Sequence, residues 1–237
     1  MRNTIYKLAL FCLVAILAAG VSAQEKKTEV EKIARPEIPP PVIEPRTAQV
    51  PEEILLRFVD EPSHHFGLAH EHFLKKDYAK SAAEIRKGEG FMRLEMARSK
   101  GEGQKALADA AIRLEKLAEA IDSGSVNSVD EIKTALARAE HTLAFHHELK
   151  AEEYWEANEN LSVGRDLKAA SMSLKNSLKY AGEKVEAETD AVIKDANNIG
   201  QKLIEGSRLA DERVGAAIEL LGDKIDEAGD KIEQPKK

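Results

Sequence analysis

Two stretches decide how this chain folds: His64–Gly88, HHFGLAHEHFLKKDYAKSAAEIRKG, and His141–Gly164, HTLAFHHELKAEEYWEANENLSVG. Shifted by about seventy-five residues, Leu68, Ala69, His72, Leu74 and Lys75 fall on Leu143, Ala144, His147, Leu149 and Lys150. After one extra residue, Asp77, Tyr78, Ser81, Ile85 and Gly88 fall on Glu153, Tyr154, Ala157, Leu161 and Gly164. In both stretches apolar and small residues recur every three or four positions, the period of a helix with one buried side. The expected unit is a helical hairpin, present twice.

Ser63 is placed to cap a first helix that runs to Lys76, and a second runs from Asp77 through Met92 and Met96 to the glycine turn at Lys100–Gly103. A third spans Gln104–Ile121. Ser128 and Glu131 form a capping box for a fourth, which carries Ile132, Leu136, Ala139 and Leu143 and reaches His147. A fifth starts near Glu152 and ends at Ala181. No proline falls between Pro62 and Pro235, and no stretch alternates like a strand. The predicted fold is all-α: an antiparallel helical bundle of two related hairpins over 63–181, followed by a long C-terminal amphipathic helix within 182–237.

That last segment has a heptad seam, Val214, Ile218, Leu221, Ile225, Ala228 and Ile232. Gly215, Gly222 and Gly229 sit beside it, and each glycine costs up to about 1 kcal/mol in a helix relative to alanine. The segment therefore needs a partner surface: the bundle, a second copy of the chain, or a lipid surface. Its acidic balance argues against anionic lipid.

The N-terminus reads as an export signal. Arg2 and Lys7 precede the apolar run Leu8–Gly20, which is too short to span a bilayer, and Val21-Ser22-Ala23 offers a cleavage site. Residues 1–23 are the expected signal peptide, and 24–62 a proline-rich linker around Pro36, Pro39–Pro41, Pro45 and Pro51. The expected location is periplasmic or secreted, with no stable membrane insertion after cleavage. Cys12, the only cysteine, leaves with the signal, so disulfides, thiolate metal sites and cysteine catalysis are excluded. The formal charge of −7 becomes more negative when Arg2 and Lys7 are removed, which excludes nucleic acid as a partner.

Histidine is the only residue type placed for chemistry. Neutral imidazole is a common metal ligand, but one helix chelates best through residues four apart, and none of the seven histidines are so spaced. His65 and His72 stand about two turns, or roughly 10 Å, apart. His146 and His147 are adjacent. A site between helices is the remaining route: His72 and His147, at matched positions, with His65 and His146 as further candidates. Copper, zinc or bis-histidine haem would suit it. No nucleophile elbow, phosphate loop or HExxH is present.

Ala69, His72, Tyr78, Ser81, Ile85 and Gly88, with Ala144, His147, Tyr154, Ala157, Leu161 and Gly164, resemble a tetratricopeptide helical pair, although the shift of about seventy-five residues departs from that family's period of thirty-four. Thr142-Leu143-Ala144, Leu149 and Glu153-Tyr154-Trp155-Glu156-Ala157-Asn158 are similar to a segment of the YfdX-like exported helical proteins of bacteria. That resemblance implies a stress-linked envelope protein with no established enzyme chemistry. The expected function is a non-enzymatic exported binding, scaffold or envelope-stress module without a cofactor, acting through a protein partner or through self-association by the C-terminal helix. The alternative is a histidine-based periplasmic carrier of copper, zinc or haem.

Overall fold

A computed structural model describes Ile54, residues 56–126 and residues 128–233. The expected signal peptide and most of the proline-rich linker lie outside the described residues. Those described form seven helices and no strand: α1 (Glu61–Leu74), α2 (Tyr78–Met96), α3 (Gly101–Asp122), α4 (Val129–Glu156), α5 (Asn160–Ala181), α6 (Ala187–Ile204) and α7 (Asp211–Glu233). The all-helical bundle is the fold. No helix among the described residues is long and apolar enough to cross a membrane.

The helix ends follow local chemistry. Pro62 stands in the first turn of α1, where its missing N–H costs nothing. Ser128 caps α4 by accepting a bond from the Asp130 amide at 3.2 Å. Gly182 closes α5 in the left-handed conformation, φ 69°, with its successor's N–H reaching back to Leu178 O. α3 begins at Gly101, three residues before Gln104, so Gly103 lies inside the helix, where Leu149 and His146 leave little room beside it.

The chain reversals place the hairpins in a different register from the one the sequence suggested. α4 does not end near His147; it runs on to Glu156, and the reversal comes at Asn158. Lys76 and Asn158, 82 positions apart, both have φ 60°. Each reversal is closed by the same three bonds: Lys75, Lys76 and Asp77 N–H to Glu71, Phe73 and His72 O, then Ala157, Asn158 and Glu159 N–H to Glu153, Trp155 and Tyr154 O. At this spacing His64-His65 corresponds to His146-His147 without a gap. Tyr78 and Tyr154 are therefore not counterparts. Tyr78 opens α2 against the edge of Phe73, whereas Tyr154 lies in the last turns of α4 under Lys150 and Arg98. Nor are His72 and His147 counterparts, because His72 corresponds to Tyr154.

The C-terminal segment is two helices rather than one. Gly206, φ 80°, turns the chain after α6, and Ser207 N–H bonds Lys202 O. α7 then lies antiparallel along α4. Gly215, Gly222 and Gly229 meet Trp155, Glu148 and His141, each partner seven residues before the last. The bare glycines let the helices approach closely. The seam residues Val214, Ile218, Leu221, Ile225, Ala228 and Ile232 are buried within the chain. The surface this helix requires is thus the bundle itself, and the seam is not free for self-association. The seven helices belong to one compact unit, with Met92, Leu114, Leu136, Leu143, Leu167 and Leu174 at its core.

Candidate metal centre

α4 is packed by α1, α3, α5 and α7. Along its middle, residues 139–151, no side chain of α4 is exposed, and a buried polar group there must find a partner inside the protein. Around His146 and His147 those partners come from three places. The last turn of α2 supplies Glu95, the connection after it supplies Arg98 and Ser99, and α5 supplies Asp166. None of these six side chains, nor Lys150, belongs to a residue more than 6% exposed.

Glu95, His146 and His147 each place one ligand atom within 4.8 Å of the other two. The hydrogen-bond partners assign the tautomers. His147 Nδ1 donates to Asp166 Oδ1 at 2.8 Å, so a neutral ring keeps its lone pair on Nε2, which is buried without a hydrogen-bond partner. His146 has two consistent states. Its Nε2–H can donate to Glu95 Oε2 at 3.0 Å while Ser99 Oγ donates to Nδ1 at 2.7 Å. Alternatively Nδ1–H donates to Ser99, whose hydroxyl then donates to Glu95 O at 3.3 Å. In that second state the Nε2 lone pair faces the carboxylate, an arrangement that needs a cation between them.

Arg98 ties the carboxylates together, donating to Glu95 Oε2 at 2.7 Å and to Asp166 Oδ2 at 2.5 Å. Burial pushes the Glu95 carboxyl up, but the His146 hydrogen bond and the charges beside it outweigh that and hold it down at about 2. Burial pushes His146 below its ordinary value despite the bond to Glu95. Burial works against the charge of Arg98 too, and Asp166 and Glu95 more than restore it. Lys150 is matched by Glu153 at 2.8 Å. With neutral imidazoles, two buried carboxylates, Glu95 and Asp166, share this space with two buried cations, Arg98 and Lys150.

The sequence candidates divide. His146 and His147 are in the centre. His65 is not: its Nδ1 lies 2.6 Å from Glu84 Oε2 and its ring stacks on Phe91. His72 is not either, lying 3.8 Å from Asp77 at the first reversal. The pairing of His72 with His147 is thereby replaced by His146 with His147. Glu95, Arg98 and Asp166 escaped sequence reasoning. One signal was available for Asp166: both His-His pairs are followed by a carboxylate nineteen residues after the second histidine, Glu84 and Asp166. Glu95 carries no such mark, because only the folded chain brings the α2 corner onto α4.

A second buried carboxyl, Glu140, sits where α1, α4 and α5 meet. Burial pushes it up to about 8 against hydrogen bonds from Ser63, Ser173 and Asn176. No protein-family model matches the chain, and no curated protein or solved structure is detectably similar to it.

Proposed function

We propose that this protein is a non-enzymatic, exported helical scaffold whose fold is clasped by one transition-metal ion at Glu95, His146 and His147. The observation that carries the reading is His147 Nε2, buried and unpartnered on a ring that Asp166 already orients. Metal-binding histidines are commonly oriented by a carboxylate on the other nitrogen in this way. Two imidazoles and a carboxylate suit zinc or copper(II). Haem fits poorly, since adjacent residues of one helix cannot bring imidazoles to opposite faces of one iron. Complete burial favours a structural ion taken up as the chain folds over a cargo exchanged at the surface. Export rests on the leader at 1–23, and the YfdX-like segment favours a role in envelope stress. The matching reversals and His–carboxylate pairs support a common origin for the hairpins.

The test is refolding from urea with and without zinc. One zinc per chain should survive gel filtration and raise the unfolding free energy by about 2.7 kcal/mol at a hundredfold excess over Kd. His147→Ala should abolish both effects and His72→Ala neither. Zinc that is not retained, or that His147→Ala retains, overturns the proposal. A second reading is favoured by Arg98, bonded to both carboxylates: a metal-free ionic network that fixes helix register. It predicts no retained zinc and the same stability with and without the ion.

A further inference from the structure

We propose that Glu61 and His65, in the first two turns of α1, form a second metal site, open to solvent, that takes an exchangeable copper(II) ion. Glu61 lies four residues before His65, the spacing at which two side chains of one helix chelate an ion. The His65 ring is already oriented. Its Nδ1 donates to Glu84 Oε2 at 2.6 Å, and the ring stacks on Phe91. A neutral ring then carries its lone pair on Nε2, which faces Glu61 Oε2 across 3.8 Å. That gap is too long for a hydrogen bond. It lies within the span of two coordinate bonds of about 2.0–2.2 Å each, the lengths at which zinc binds imidazole and carboxylate.

Charge selects a cation for the gap. Glu84 is matched by Lys87 at 2.7 Å, but Glu61 forms no other ion pair or side-chain hydrogen bond among the described residues. His72 marks the contrast. It too lies 3.8 Å from a carboxylate, but Asp77 is held by Lys80 at 2.8 Å and stands five residues away, off the chelating spacing. The arrangement at His65 also repeats the buried centre. His64-His65 corresponds to His146-His147, and Glu84 holds Nδ1 of the second histidine as Asp166 does, which leaves Nε2 for an ion. This parallel rests on the reading of the buried centre; the geometry of Glu61 and His65 does not. Exposure sets the two sites apart. The His65 and Glu61 side chains are 14% and 41% exposed, so water completes the coordination and the ion exchanges with solvent. One nitrogen, one carboxylate and water suit copper(II), which stands at the top of the affinity order for divalent first-row metals. With two protein ligands the site holds its ion less tightly than the buried centre, and gel filtration strips it.

The experiment counts copper(II) bound to the purified protein at equilibrium dialysis, with electron paramagnetic resonance reporting nitrogen ligation. The parent should bind one copper at this site, beside any held by the buried centre. At the copper concentration that just fills the parent, Glu61→Gln and His65→Ala should each remove one copper per chain, and His72→Ala none. The Glu61 side chain is well exposed, so Glu61→Gln should leave circular dichroism unchanged and decides the matter even if His65→Ala loosens the packing on Phe91. His147→Ala tests the buried centre separately. Copper lost from His147→Ala but kept by Glu61→Gln would overturn this site and leave the buried centre standing; copper lost from Glu61→Gln but kept by His147→Ala would support this site and count against the buried centre. Copper retained in full by His65→Ala, or lost equally from His72→Ala, would also overturn the proposal.

Discussion

Alanine at Gly164 sets helix preference against packing, and the structure says packing wins. Gly164 lies in α5 facing Gly200 of α6, and the two backbones nearly touch. A Cβ at Gly164 would stand 2.6 Å from Gly200 O, 3.0 Å from Leu203 Cβ and 3.1 Å from Ile204 Cγ1. The nearest obstacle is a backbone oxygen held in a helix, so it cannot swing aside; α5 and α6 must separate. Separation loosens Val163, Leu167, Ile199 and Leu203, all buried near that contact. Replacing glycine by alanine inside a helix gains about 1 kcal/mol, while forcing an extra methyl into a packed interior costs about 1–3 kcal/mol or more. The net expectation for Gly164→Ala is a loss of up to about 2 kcal/mol, or several degrees in Tm for a chain of this size. Gly90→Ala is the control. It is the same change within α2, with nothing within 4 Å of the new methyl, and it should stabilise by up to about 1 kcal/mol. Urea unfolding followed by circular dichroism measures both. If Gly164→Ala stabilised the protein as Gly90→Ala is expected to, the close approach of α5 and α6 would be refuted.

Glu140 should make stability fall as pH rises. Its folded value, about 8, lies above its ordinary 4.5, so the folded state holds a proton that the unfolded state has already lost. The stability this contributes is present below about pH 4.5 and is lost as pH climbs to about 8, with a slope of at most about 1.4 kcal/mol per pH unit. Glu140→Gln should flatten that slope. It should not abolish it, since burial and the neighbouring Glu152 and Asp226 push Glu148 up to about 7. An unchanged pH profile would show that Glu140 ionises without penalty. Deleting Asp211–Lys237 should uncover the face of α4 that meets α7, moving the emission of Trp155, the only tryptophan, to longer wavelength and raising binding of a hydrophobic dye. Emission and dye binding identical to the full chain would refute the placement of α7 on α4.

Helix existence was legible because it depends on neighbours in sequence. The three-and-four rhythm, the Ser128 cap and the absence of proline between Pro62 and Pro235 act over a few residues. The demand of the C-terminal glycines for a close partner was legible too. Hairpin register was not. The alignment at about seventy-five residues and the observed correspondence at 82 differ by six or seven, close to two helical turns. A slip of two turns returns nearly the same face, so the apolar pattern barely distinguishes the two. Side-chain pairs do distinguish them: only the spacing of 82 sets His65 with Glu84 and His147 with Asp166 in equivalent places.

By itself, then, the sequence determined an all-helical chain, where most of its helices end, and that its last segment must lean on something. Tertiary structure alone decided what that segment leans on, and which charged groups share the dry space beside His147. Periodicity is a property of one helix and reports only which side is hidden. Glu95 and His146 are fifty-one residues apart and meet because the α2 corner folds onto α4, a contact that no local pattern encodes.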